Sequence, residues 1–166
     1  MNRNVIFLLS LIIGLILQVT LFSFFTPWGI KPDLILVLII VIAILEGPKT
    51  GLIFGVIGGL LQDVFLGDFI SVNTIIKAPF AYITGYLEGH FYKGNFLLAP
   101  FITFIASNIY YILTIVLSEE LIFSVNYWET FINVMFPSSI YNSILSLIIY
   151  LIFYQLFNYG EDYYGR

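Results

Sequence analysis

Residues 33–63 read DLILVLIIVIAILEGPKTGLIFGVIGGLLQD, and this stretch decides the fold class. It holds two apolar runs joined by Glu46-Gly47-Pro48-Lys49-Thr50, a composition typical of a tight turn. The first run starts after Pro32-Asp33, where a carboxylate can cap the free N–H groups of a helix and face its positive end. The stretch therefore predicts two successive helices of a membrane bundle, although Leu34 to Leu45 is short for a full crossing.

The composition of the whole chain supports a membrane environment. Of 166 residues, 60% are hydrophobic and only 10% are charged, and the mean hydropathy is +1.02. A soluble domain carries about 25% charged residues, and with fewer it would expose large apolar patches to water. The chain has no Cys, which excludes disulfides and thiolate chemistry, and it has no basic cluster for nucleic acid.

The same pattern predicts an all-α protein with a single transmembrane domain over residues 1–166. The connection at residues 118–130 is the longest polar one, and part of it is expected to lie along the interface as a short helix. The first apolar run is too long for a signal peptide and is expected to be retained. The six predicted spans are about 5–25, 33–46, 50–66, 74–91, 96–117 and 134–157.

The few basic residues predict the orientation. With a cytoplasmic N-terminus, the inner segments hold Arg3, Lys49, Lys93 and Arg166, whereas the outer loops hold only Lys31. The positive-inside rule therefore favours cytoplasmic termini at both ends of a multi-pass protein.

Glycines recur every four residues along the third span. Small residues at this spacing form a groove that lets another helix approach closely. The groove is expected either to pack inside the bundle or to receive the helix of a partner protein. The residues concerned are Gly47, Gly51, Gly55 and Gly59, with Gly58 alongside.

Two charges fall inside predicted spans. Asp63 follows Gln62 at the end of the third span, and Lys77 lies in the fourth. A charge at membrane depth is costly, and such residues are candidates for function. Asp63 and Lys77 either form an ion pair between the two helices, or Asp63 caps the fourth span or reaches the interface while Lys77 extends to the interface.

Hydroxyls and amides mark the last two spans. They are expected to hydrogen-bond across helices or, alternatively, to line a small-ligand cavity. They are Ser107 and Asn108 on the fifth span and Ser139, Asn142, Ser143 and Ser146 on the sixth.

No enzyme signature is present. The only histidine, His90, is expected at the interface, and there is no Gly-x-Ser-x-Gly elbow, HExxH or Cys/His metal cluster. Asp63 and Asp68 do not form a catalytic set. The sequence predicts a protein without catalytic residues, metal or cofactor.

The middle of the chain, about residues 30–90, resembles the MreD family of the bacterial rod-shape system. The resemblance is carried by Pro32-Asp33-Leu34, by Gly59-Leu60-Leu61-Gln62-Asp63, by Gly67 and Asn73, and by Tyr82-x-x-Gly85-Tyr86. The sequence departs from the family pattern at Ile70-Ser71-Val72 before Asn73, and at Lys77 and Pro79.

The resemblance implies a non-enzymatic scaffold in the bacterial cytoplasmic membrane. Such a protein would bind MreC and, through it, work with MreB, RodA and a class B penicillin-binding transpeptidase in lateral peptidoglycan synthesis. The residues expected to carry the helix-packing or partner-binding role are Gly51, Gly55, Gly58, Gly59, Gln62 and Asp63, supported by Asp33, Asn73, Lys77, Asn108 and Asn142.

The resemblance also implies a fold similar to that of the S components of energy-coupling-factor vitamin transporters. This similarity supplies the alternative function, a vitamin-binding S component. Such a site requires several convergent polar or aromatic groups near the outer face, and the amides and serines of the last two spans are the candidates.

Overall fold

The computed structural model describes residues 2–24, 31–66, 72–88, 96–117 and 126–157, and these residues form an all-α structure. The helices are α1 (Arg3–Phe24), α2 (Leu34–Glu46), α3 (Pro48–Leu66), α4 (Val72–Glu88), α5 (Leu98–Leu117), α6 (Tyr127–Thr130) and α7 (Phe136–Leu156). A π-helical turn, Phe131–Met135, joins α6 to α7.

The prediction of six helices is confirmed, because α6, the π-helical turn and α7 continue as one helical segment. Both Thr130 and Phe136 have right-handed helical φ and ψ angles, so the backbone does not break at either end of the turn. The sixth helix therefore begins near Tyr127 rather than at residue 134, and Tyr127–Thr130 is not a separate helix. Within the described ranges, three segments are long and apolar enough to cross a membrane: Arg3–Thr20, Leu98–Leu117 and Trp128–Leu156.

The centre of the bundle is α2. Every residue from Leu34 to Ile44 is buried, and α2 packs against α1, α3, α4, α5 and α7. A helix that is apolar on all sides must be surrounded on all sides. Its 13 residues span only about 20 Å. The sides of α2 are covered by the surrounding helices and not by lipid.

Sequential helices run antiparallel. Next to α2, the Gln18 side chain of α1 accepts a hydrogen bond from the Ile35 backbone N–H at 3.4 Å. At the other end of the same pair, Arg3 and Glu46 are joined by a 3.5 Å ion pair. The Arg3 guanidinium also lies 5.6 Å from the centre of the Phe157 ring. The start of α1 and the end of α7 therefore lie on the same side of the bundle.

The glycines of α3 allow close contact with two neighbouring helices. A Cβ on Gly51 would lie 2.8 Å from the carbonyl oxygen of Ala81, and one on Gly55 would lie 2.9 Å from the Cα of Ala78. Both contacts are with the backbone of α4. Gly58 faces α2 instead, where a Cβ would meet the Ile35 and Ile39 side chains at 3.0 and 3.1 Å.

The outer surface of the bundle is aliphatic. The α1, α3, α5 and α7 helices each expose a row of Ile, Leu or Val side chains, with some Phe. Large apolar side chains exposed in this number are compatible with lipid rather than with water.

Several sequence predictions concern residues outside the described part of the chain. These are the interfacial position of His90, the loop with Gly67 and Asp68, the stretch Ile70-Ser71, the connection at residues 118–125, and the charges of Lys93 and Arg166.

We expect Gly59→Ala to destabilise the protein more than Gly58→Ala. A Cβ at Gly59 would lie 2.8 Å from the backbone nitrogen of Thr74, whereas at Gly58 it would meet only side-chain methyl groups, those of Ile35, Ile39 and Leu11 at 3.0, 3.1 and 3.6 Å. Overpacking typically costs about 1–3 kcal/mol, and a backbone neighbour gives way less easily than a methyl group.

Thermal unfolding in detergent measures the difference, since both variants carry the same added methyl group at adjacent positions. Equal melting midpoints for the two variants would contradict the backbone contact between α3 and α4.

Candidate functional site: a buried polar network

The site starts from Asp33, the residue before α2. Its Oδ1 accepts a hydrogen bond from the Leu36 backbone N–H at 2.9 Å, which makes Asp33 the N-cap of α2, as predicted. The same oxygen accepts a 3.3 Å hydrogen bond from the Gln62 side-chain amide of α3. Capping fixes the carboxylate at the positive end of the helix and leaves Oδ2 for another partner.

That partner is Lys77 of α4. Its ammonium lies 2.6 Å from Asp33 Oδ2 and also donates to the side-chain oxygen of Gln62. The Lys77 side chain is fully buried and that of Asp33 is 8% exposed. Breaking such a pair leaves an uncompensated charge in the interior, which costs about 3–5 kcal/mol.

An aromatic residue and an amide extend the network towards α5. The Tyr110 ring centre lies 4.7 Å from the Lys77 ammonium, within the range of a cation–π interaction. The Tyr110 hydroxyl donates a 2.5 Å hydrogen bond to the Asn73 side-chain oxygen. Asn73 and Lys77 are four residues apart and so share one face of α4. A single residue of α5 therefore contacts both.

On the other side, Asn142 links α7 to the same aspartate. Its side-chain oxygen accepts a 2.9 Å hydrogen bond from the Asp33 backbone N–H. Its amide group donates a 3.1 Å hydrogen bond to the Ser107 hydroxyl of α5. Asn142 and Ser107 are both fully buried. Through Asp33, Gln62, Lys77 and Asn142, the network joins α2, α3, α4 and α7, and Ser107 connects α5.

The ion pair of Lys77 is thus made with Asp33 and not with Asp63, and Lys77 does not extend to the interface. Asp63 caps α4 instead, the other predicted role of this carboxylate. It accepts 3.0 Å hydrogen bonds from the backbone N–H groups of Asn73 and Thr74 and a 2.6 Å one from the Thr74 hydroxyl. Gln62 and Asp63 lie about 100° apart around α3, so Gln62 faces α2 while Asp63 meets the start of α4.

The prediction of bonding across helices holds for Asn142 and Ser107, but most of the other polar groups on the last two helices bond within their own helix. The Asn108 amide donates to the Phe104 carbonyl at 2.8 Å, one turn earlier. The Ser139, Ser143 and Ser146 hydroxyls likewise donate to backbone carbonyls of their own segment.

Sequence reasoning missed two contributors, Tyr110 and Gln18. Tyr110 follows Ser107 by three residues and therefore lies on the same face of α5. This three-residue spacing was the feature of the sequence that could have identified Tyr110 as part of the network. Gln18 is a polar residue inside the first apolar run, and its contact with α2 had no such local signal.

The polar side chains of this site connect helices to one another. Each carboxylate of the site caps a helix, and the amide groups are bonded to the ion pair or to a hydroxyl. Within the described ranges, no three His, Cys, Asp or Glu side chains gather as metal ligands.

We expect a double-mutant cycle between Asp33→Asn and Lys77→Met to show strong coupling. Lys77→Met leaves a buried carboxylate without its counter-charge, and we expect a loss of about 3–5 kcal/mol. Asn at position 33 can still cap α2 but carries no charge, so the double variant is expected to recover part of that loss. The measurement is the free energy of unfolding of each variant in detergent.

The matched control is the same cycle with Asp63→Asn in place of Asp33→Asn. Here the two losses are expected to add, because Asp63 bonds the α4 backbone. Coupling in the Asp63 cycle together with additivity in the Asp33 cycle would contradict the described pairing.

The family model described as "rod shape-determining protein MreD" matches residues 1–160 of the chain. No curated protein and no solved structure matches it. The family match and the three long apolar helices identify an integral membrane protein with a role in rod shape determination. Since the match covers nearly the whole chain, the chain belongs to the MreD family of rod shape-determining proteins.

Proposed function

We propose that this chain is a non-enzymatic scaffold of the bacterial elongation machinery. It binds MreC, and through MreC it works with MreB, RodA and a class B penicillin-binding transpeptidase to control lateral peptidoglycan synthesis. The observation that carries the proposal is the family match over residues 1–160. The geometry supports a scaffold, because the charges at the centre serve to hold helices together.

The network supports this role through rigidity. A binding surface made of helices is useful only if the helices keep their relative positions. Asp33 is contacted by Gln62, Lys77 and Asn142, which lie on three different helices. Sliding any of these helices by one turn would separate a buried polar group from its partner, which costs about 1–3 kcal/mol or more.

The alternative function, a vitamin-binding S component, has no specific observation in its favour. Asn142 and Ser107, two of the candidate ligand groups, bond to each other, and Asn142 also bonds α2. Their arrangement supports helix packing more than a ligand site.

We further propose that the chain crosses the cytoplasmic membrane of the bacterium several times, with both termini in the cytoplasm. The contact between Arg3 and Phe157 supports placing the start of α1 and the end of α7 at the same membrane face. Arg3 and Lys49 lie at that face, and Lys31 precedes α2 at the opposite end of the bundle. This charge distribution follows the positive-inside rule.

Cysteine labelling in intact cells tests the orientation, because the chain has no Cys of its own. We expect Lys31→Cys to react with a membrane-impermeant maleimide, and Lys49→Cys to react only after the membrane is permeabilised. The reverse pattern would place both termini outside. Labelling of both residues in intact cells would contradict a crossing of the membrane by α2, because the two residues flank that helix.

Purification from native membranes tests the scaffold function. We expect the tagged chain, extracted in a mild detergent, to carry MreC and RodA with it. Lys77→Met should reduce this recovery, because the helices lose their fixed positions, and combining it with Asp33→Asn should restore part of it. A transporter coupling subunit with bound vitamin in place of MreC would replace the proposed function with the alternative.

A further inference from the structure

The outward face of α4 differs from the rest of the lipid-compatible surface. Ile75, Pro79, Tyr82 and Tyr86 follow one another at intervals of four, three and four residues, and all four are exposed. This spacing places them in one row along the helix. We call this row the α4 seam.

The composition of the seam sets it apart. Among the described residues, the large apolar side chains exposed on α1, α3, α5 and α7 are Ile, Leu, Val and Phe. The exposed polar side chains of these helices lie near helix ends, and they are Asn4, Thr20, Lys49 and Gln155. The seam instead holds a proline and two tyrosines, of which Tyr82 is 44% exposed and Tyr86 is 58% exposed.

Pro79 leaves a backbone acceptor on this face. Proline has no N–H, so the carbonyl oxygen of Ile75, four residues earlier, loses its donor within the helix. Ile75 is 58% exposed and lies in the same row. Hydrocarbon cannot donate a hydrogen bond, and a backbone carbonyl at membrane depth needs another partner.

In the proposed multi-pass arrangement, Tyr82 adds a hydroxyl group at membrane depth. It lies six residues before the end of α4 at Glu88, which is about 9 Å along the axis. Helical side chains lean towards the N-terminus of their helix, so the phenol of Tyr82 leans away from this nearer end and towards the middle of the helix. Its hydroxyl makes no hydrogen bond to any other described residue.

We propose that the α4 seam is the docking site for the transmembrane helix of a single-pass partner. The occupant is a helix with a hydrogen-bonding side chain, such as Ser, Thr, Asn or Gln, facing Tyr82 and the Ile75 carbonyl. Lipid chains cover an aliphatic face equally well, but they cannot satisfy this donor and this acceptor. The inference rests on the proposed function, in which that partner is MreC, and it specifies where MreC binds.

Site-specific photocrosslinking tests the docking site. A benzoylphenylalanine is placed at Ile83, beside the seam, or at the control position Ile144 on α7. The two isoleucines are 52% and 54% exposed. In cells with tagged MreC, we expect a crosslink to MreC from position 83 and none from position 144.

A second variant tests the polar contact. Tyr82→Phe keeps the ring and removes only the hydroxyl, so we expect an unchanged melting midpoint. The crosslink from position 83 should fall by roughly threefold, the change that corresponds to a typical interhelical hydrogen bond in a membrane. An undiminished crosslink in Tyr82→Phe would overturn the role of the hydroxyl.

The remaining outcomes separate the docking site from the function. A crosslink to MreC from position 144 and not from position 83 would overturn the site while leaving the scaffold function intact. So would a crosslink from position 83 to a second copy of this chain, or MreC co-purifying without a crosslink from position 83. If MreC neither co-purifies nor crosslinks, the proposed function and the docking site both fail.

Discussion

A buried ammonium group on α4 is the constraint on which the rest of the structure depends. Lys77 is fully enclosed, and such a charge is tolerated in an apolar interior only with a counter-charge and further hydrogen bonds. Asp33 supplies the charge, and Gln62 and the Tyr110 ring complete the shell. Since these partners come from α2, α3 and α5, burying one lysine fixes the positions of four helices.

The close packing of α3 against α4 belongs to the same constraint. Gly55 and Gly59 bring the α4 backbone against α3, so that Lys77 and Gln62 reach the same carboxylate at the start of α2. With larger residues at these positions the two helices would move apart, and the ammonium would separate from its partners. The glycines therefore act on the polar centre by setting the distance between the α3 and α4 backbones.

Much of this architecture was predictable from the sequence, namely the six helices, the Asp33 cap and the close packing of the third helix. These features follow from local rules, because the length of an apolar run, a cap residue and a four-residue glycine spacing each lie within one segment of the sequence. The partner of Lys77 was not predictable in this way. Asp63 is nearer in sequence, but it is engaged by the start of α4, whereas Asp33, 44 residues away, becomes a neighbour only once α2 is central.

The two faces of α4 differ in whether their polar groups have hydrogen-bond partners. On the inward face, Asn73 and Lys77 have partners from the surrounding helices. On the outward face, Pro79 removes the intrahelical donor of the Ile75 carbonyl, and the exposed Tyr82 side chain carries a hydroxyl. The proposed docking helix would supply a hydrogen-bond partner for this hydroxyl and for this carbonyl. Their position is consistent with a surface that is completed only when another helix lies against it.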